Sequence, residues 1–312
     1  MMIYFVSHFE SIPGRNAERL IAQILPILRW NLSCISQLPQ ARFVVICNDD
    51  SFNLLEPFLP GSLINRSEIV DGYNDLQILK NSYDSIGMSE RLNYGIDFEF
   101  KCFERFLLLD ALTSKFRINS CVHLDCDLAI SYSAAIKIFE FFHSTSLVNS
   151  VDERDILGLN DFSTYLSGFT NLSLRKFCKY IIDEYLSPNL LDNSDYRVSD
   201  MGAMKSAISS QILIRHSPFD DYDKSFLSPE LMSFQPLASS IFTRSSNEVE
   251  NENARRWWRM DDVSDAEILT VVSDPNFFKF SKNNFQIFRN GSNCYFVHFH
   301  GPSKRFIKFQ VP

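Results

Sequence analysis

The chain has 312 residues, of which 45% are hydrophobic and 22% charged, and carries a formal net charge of -8. This is the composition of a soluble globular protein with enough chain to bury a sizeable core, and it excludes a disordered or fibrous one. The acidic balance gives no general attraction to phosphate polymers and disfavours a nucleic-acid partner, no local basic face being evident apart from the short tail around Lys304, Arg305 and Lys308.

In chain order, MIYFVSH reads as a first strand, short and rich in β-formers, and ESIPGR after it as a turn. NAERLIAQILPILRWNLSCISQL reads as a helix, bent or broken at Pro26, and ARFVVICNDD as a second buried strand ending in Asn48, Asp49 and Asp50. Strand, helix, strand opens a parallel α/β sheet, whose ligands gather at the carboxyl ends of the strands. Residues 60–95 suggest short helices. Apolar positions at Phe103, Phe106, Leu107 and Ala111 predict a helix over 95–116, leading into the strand SCVHLD. SLRKFCKYIIDEYL is amphipathic, with Leu174, Phe177, Cys178, Ile181, Ile182 and Tyr185 on one face, and this predicts a core helix. RSSNEVENENARR, around 244–256, predicts an exposed loop, and the C-terminal FFKFSKNNFQIFRNGSNCYFVHFHG predicts strands around a Gly-containing turn.

The stretch CVHLDCDLAI places Asp125 and Asp127 one residue apart at the carboxyl end of a buried strand. Charge is seldom left at the end of an apolar run unless something there uses it. On an extended segment the two side chains face opposite sides, but a turn brings both towards one ion. A hard divalent cation, Mg²⁺ or Mn²⁺, held by one or two carboxylates keeps positions open for water and substrate phosphates. The structural alternative is that Asp125 caps the next segment and Asp127 is simply solvated.

The run KCFERFLLLDALTSKFRINSCVHLDCDLAI, a helix carrying Arg105, an apolar strand and then Asp-x-Asp, resembles the metal-binding core of GT-A fold glycosyltransferases. The resemblance is to the retaining, glycogenin-like and lipopolysaccharide-galactosyltransferase-like members, in which a similar helix presents an arginine to the donor; Arg105 matches it. VHFHGPSKRF is similar to their His-x-x-Gly-x-x-Lys segment. The resemblance implies His298 as a metal ligand, Gly301 as a point of close backbone approach to the diphosphate, and Lys304 as the balancing charge. The chain continues Arg305-Phe306 where that family often has Pro-Trp, and His300 is a competing ligand that strand spacing cannot separate from His298. YRVSDMGAMKSAI resembles the acceptor half, with Asp200 entering the site; Ser199 or Asp200 equally suits a helix N-cap. Ser7 and His8, and Asn48 and Asp49, stand where the resemblance implies the nucleoside. Trp257 and Trp258 suit either stacking on an acceptor sugar or anchoring of the adjacent loop.

The implied fold is α/β: a Rossmann-like, GT-A mixed sheet flanked by helices, in a single domain over 1–312. Its nucleotide-sugar half is 1–130, and its acceptor half, carrying the metal and diphosphate segment, is 131–312. The implied reaction is transfer of a hexose-type sugar from a nucleotide-diphosphate donor, UDP by default, to a hydroxyl acceptor such as a glycan. Asp125, Asp127 and His298 hold Mn²⁺ or Mg²⁺, Asp125 also meets the donor, and Arg105 and Asp200 position the sugar, Asp200 serving as base if configuration is inverted. Two other readings stay open. One is a haloacid-dehalogenase-like phosphatase, whose Asp-x-Asp normally lies on the first strand, and the other is a non-catalytic nucleotide-sugar-binding protein. The start lacks a basic n-region and no run reaches the roughly 18 apolar residues of a membrane span, which points to the cytoplasm, with peripheral contact at the inner membrane face through the basic tail. Seven cysteines without a CxxC pair suggest neither a disulfide framework nor a zinc site, and the sequons at Asn31, Asn65, Asn171 and Asn290 carry no weight without export.

Overall fold

Hydrophobic runs of β-branched residues become buried strands, and the amphipathic runs between them become helices. In the computed structural model, residues 2–10, 17–85, 96–147, 154–158, 164–186, 199–219, 264, 266, 269, 273, 278–289, 292–299 and 307–312 are described. The loop expected at 244–256, Trp257 and Trp258 lie outside them. The amino-terminal part runs β1 (Ile3–Phe9), α1 (Ala17–Ile35), β2 (Ala41–Cys47), α2 (Asp49–Leu55), β3 (Leu63–Asn65), α3 (Arg66–Val70) and α4 (Asp75–Ser85). α1 continues through Pro26 as one helix. Next come α5 (Ile96–Phe116), β4 (Ser120–Leu124), β5 (Leu128–Ile130), α6 (Tyr132–Leu147), β6 (Asp155–Gly158) and β7 (Leu166–Thr170). α7 (Asn171–Tyr180) runs on into a π turn, Ile181–Tyr185, and α8 (Asp200–Ser209) and β8 (Ile214–His216) follow. β9 (Lys279–Ser281), β10 (Gln286–Arg289), β11 (Ser292–Cys294), β12 (Phe296–His298) and a last turn, α9 (Ile307–Gln310), complete the elements.

These residues divide into two compact units. The first, Met1–Glu10, Pro39–Asp125 and Ile138–Pro218, holds a seven-stranded sheet in the order β3-β2-β1-β4-β7-β6-β8. β1 pairs in parallel with both β2 and β4, whereas β7 runs antiparallel between β4 and β6. The sheet is therefore mixed and flanked by helices, the α/β architecture expected. Val6, Phe103, Phe106, Leu107, Phe169 and Phe177 are among the residues of its main core. The face foreseen for the helix after β7 is the one that packs: Leu174, Phe177, Cys178, Ile181 and Tyr185 are buried, and Ile182 is partly so. Asp125 is the first residue beyond β4, at the carboxyl end of a central strand.

The second unit, Ser11–Leu38, Cys126–Lys137 and Phe219–Pro312, contains α1, the antiparallel pair β5–β12 and the antiparallel sheet β11-β10-β9. Ile27 and Trp30 of α1 pack with Ala129, Val297, Phe299 and Ile307. Trp30 Nε1 donates to Ile130 O at 2.7 Å, and Asn31 both donates to Leu128 O at 2.7 Å and accepts from Ile130 N at 3.1 Å. Asn31, the first sequon asparagine, is thus a wholly buried clamp on β5. Among the described residues, no helix is long and apolar enough to cross a membrane.

Candidate functional site

β4 is buried at all five positions, so the first polar residue after it, Asp125, emerges where the strand ends. Its backbone N–H donates to Tyr165 O at 2.9 Å, which fixes the turn. Arg105, on α5, brings its side chain to the same point and is 12% exposed. Its Nη1 donates to Asp125 Oδ1 at 2.6 Å, and its Nη2 donates to Thr164 Oγ1 at 2.8 Å and to Asp200 Oδ2. The guanidinium carbon lies 5.3 Å from the centre of the Phe106 ring. Burial alone would lower the affinity of this guanidinium for its proton, but Asp200 and Asp125 outweigh burial and raise it. Arg105 is a fixed cation shared by two carboxylates.

Asp200 is 3% exposed and opens α8. The choice left by the sequence between Ser199 and Asp200 as cap resolves by division of labour. Ser199 Oγ accepts from Gly202 N at 3.0 Å as the N-cap, while Asp200 Oδ1 accepts from Met201 N at 2.8 Å and Oδ2 faces Arg105. Both Asp200 oxygens are engaged within the chain. His123, two residues before Asp125 and 1% exposed, places Nδ1 2.9 Å from Thr164 O and Nε2 3.7 Å from Asp125 Oδ1. Burial and the nearby Arg105 hold this imidazole well below its ordinary range, so it is neutral, and its one N–H belongs on Nδ1, facing the carbonyl.

Immediately after the motif, β5 pairs with β12, which sets His298 opposite Leu128. Phe299 N donates to Asp127 O at 3.0 Å, and His298 Nε2 lies 3.1 Å from Asp127 Oδ1, both residues being buried. Asp127 and His298 thus present a carboxylate oxygen and an imidazole nitrogen side by side, and Asp125 stands two residues before Asp127 in sequence. A hard carboxylate oxygen beside an imidazole nitrogen suits a divalent cation, and the pair leaves most of the ion's positions to other groups. His300, Gly301 and Lys304 lie outside the described residues.

The remaining expected positions stand at the carboxyl ends of β1 and β2. Ser7 is wholly buried, and its hydroxyl has no hydrogen-bond partner among the described residues. Asn48 caps α2, its side-chain oxygen accepting from Ser51 N at 3.1 Å, and Asp49 Oδ1 accepts from Asn65 Nδ2 at 2.5 Å. His8 Nε2 lies 3.2 Å from Glu10 Oε1. Glu10 belongs to a charge cluster that sequence reading missed. Lys101 Nζ is 2.6 Å from both Glu10 Oε2 and Glu104 Oε2, and Arg66 reaches Glu10 Oε1 at 3.4 Å and Glu104 Oε1 at 2.5 Å. Burial would push the Glu10 carboxyl up, but His8 and Lys101 overcome it and bring the pKa down to about 2. Of this cluster only Lys101 and Glu104 carry a sequence signal, the helical spacing of three. Thr164 was missed as well, since nothing in TYLSGFT marks its hydroxyl for a partner 59 residues earlier.

No family model matches the sequence, and no curated protein matches it. Among solved structures the chain is similar to mouse xyloside xylosyltransferase 1 in its apo form, at 11% identity and TM-score 0.46 over 70% of this chain and 85% of that one. It is also similar to the galactosyltransferase LgtC in complex with donor and acceptor sugar analogues, at 9% identity and TM-score 0.43 over 99% and 97%. An active-site mutant of LgtC aligns at 10% identity and TM-score 0.40 over 97% and 93%.

Proposed function

We propose that the chain is a metal-dependent glycosyltransferase that moves a sugar from a nucleoside-diphosphate donor, UDP-linked by preference, to a hydroxyl acceptor such as a glycan. The observation that carries this reading is the meeting of Asp127 and His298, 171 residues apart in sequence, with His298 Nε2 3.1 Å from Asp127 Oδ1. A structural role for an Asp-x-Asp does not require a distant histidine beside it. The motif follows the fourth strand, whereas the phosphatase alternative places it on the first.

In this reading Asp125, Asp127 and His298 hold Mn²⁺ or Mg²⁺. When bound, the cation offsets the charge that builds on the departing diphosphate. Arg105 is held by Asp125, Thr164 and Asp200 in one orientation, so the N–H left on Nη1 meets the donor without a search for geometry. Asp200 suits this holding role better than proton abstraction, because both of its oxygens already accept from the chain. That arrangement favours retention of configuration, with the leaving phosphate taking the acceptor proton. Gly301 and Lys304 remain, by resemblance, the residues assigned to the diphosphate, and His8, Ser7 and Asn48 those assigned to the nucleoside.

Calorimetric titration of a panel of nucleoside diphosphates, with and without Mn²⁺, tests the proposal. One nucleotide is expected to bind, at least about tenfold more tightly with the metal, and Asp127→Asn is expected to abolish the difference. Binding indifferent to metal, or phosphate release from sugar phosphates in place of glycosyl transfer, overturns it.

A further inference from the structure

The residue that ties together the Arg105 side of the site is one that no motif marks. Thr164, 3% exposed, lies just before β7, and because β7 is antiparallel to β4, the chain arrives there at the carboxyl end of β4. Its hydroxyl accepts from Arg105 Nη2 at 2.8 Å, and its carbonyl oxygen lies 2.9 Å from His123 Nδ1. The next residue, Tyr165, accepts from the backbone N–H of Asp125 at 2.9 Å. Two consecutive residues therefore hold the guanidinium, the imidazole beside it and the main chain of the first metal-site aspartate. The Phe106 ring is a common neighbour of both held groups, 5.3 Å from the Arg105 guanidinium carbon and 5.9 Å from the His123 ring centre.

The arginine needs such a third hold. Asp125 and Asp200 both attract it, and Arg105 Nε is buried with no partner among the described residues, so its own stem gives no directional bond. Asp125 takes one N–H of Nη1 and Asp200 one of Nη2, and the Thr164 hydroxyl, accepting from Nη2 at 2.8 Å, fills the other donor direction at that nitrogen and so completes the hold on the guanidinium plane. We infer that Thr164 is a positioning residue for the donor site: through its hydroxyl it sets the orientation of Arg105 between the two carboxylates and so preorganises the metal-site aspartate. This rests on the glycosyltransferase reading above, and it adds a residue that the resemblance does not supply.

The test is calorimetric binding of the nucleoside diphosphate preferred by the wild type, with Mn²⁺, to Thr164→Val, Thr164→Ala and Thr164→Ser, with thermal melts of each variant. Outer-layer partners of such sites typically change affinity by about 10–100-fold. Thr164→Val and Thr164→Ala are expected to lose affinity within that range, and Thr164→Ser, which keeps the hydroxyl, to stay within about threefold of wild type. In an Arg105→Lys background, Thr164→Val is expected to add no further loss, since the partner through which it acts is gone. Wild-type affinity in both hydroxyl-less variants overturns the inference, as does a Thr164→Ser as weak as Thr164→Val, or a full additional loss in the Arg105→Lys background. If the wild type itself binds no nucleoside diphosphate, the glycosyltransferase reading falls first and takes this inference with it.

Discussion

At the scale of single residues, the molecule places its charges in closed sets. Glu10 and Glu104 are buried between Lys101 and Arg66, and Asp125 and Asp200 share Arg105. Glu10 has the plainest consequence for solution behaviour. Its pKa lies at about 2 in the folded chain against an ordinary 4.5, so folding favours its ionised form. The stability it contributes is therefore complete above about pH 5 and is lost as the pH falls through 4.5 towards 2. Urea melts across that range are expected to show the gap between wild type and Glu10→Gln closing as the solution is acidified, and a gap that widens would contradict the assignment. The first halves of these sets were legible in sequence, because Asp125 and Arg105 sit on recognisable patterns. Their partners Glu10, Arg66 and Thr164 were not, since each depends on which loop ends beside which strand, and no spacing encodes that.

At the scale of elements, local propensity was overruled where burial was at stake. α1 runs through Pro26 because the turns on either side bury Ile24, Ile27, Leu28 and Trp30, which offsets the lost backbone hydrogen bond. β7 shows the opposite economy, a strand whose fit depends on having no side chain at one position. A Cβ on Gly168 would lie 2.8 Å from the Phe142 ring tip and 3.0 Å from Leu157 Cβ, and Phe142 is fully packed. Gly168→Ala is expected to cost about 1–3 kcal/mol through overpacking, and trimming Phe142 to Leu in the same chain to recover part of it. The readout is the urea midpoint at unchanged slope; an unshifted midpoint would mean that α6 yields without cost. Strand and helix identities were readable from periodicity. The antiparallel insertion of β7 between β4 and β6 was not, because hydrophobic alternation does not carry strand direction.

At the scale of the whole molecule, the cysteines report how the chain is packed. Among the described residues all seven are thiols, and five are held towards the protonated form by burial: Cys34 and Cys47 at about 12, Cys294 at about 11, and Cys121 and Cys178 further from the ordinary value. Cys102 and Cys126 are only partly covered. A thiol-directed reagent near neutral pH is expected to modify Cys102 and Cys126 well ahead of the other five, and all seven once the chain is unfolded, with mass spectrometry giving the order. Early modification of Cys34 or Cys121 would show that the cores around them open far more readily than their burial implies. The cysteines are countable in the sequence, but which thiols are shielded emerges only from three-dimensional packing.

The pairing of β5 with β12 also bears on biosynthesis. The ribosome makes Asp127 long before it makes His298, 171 residues later, so a nascent chain stalled between the two leaves β5 without its partner strand and Asp127 without its histidine even if the large sheet has already formed.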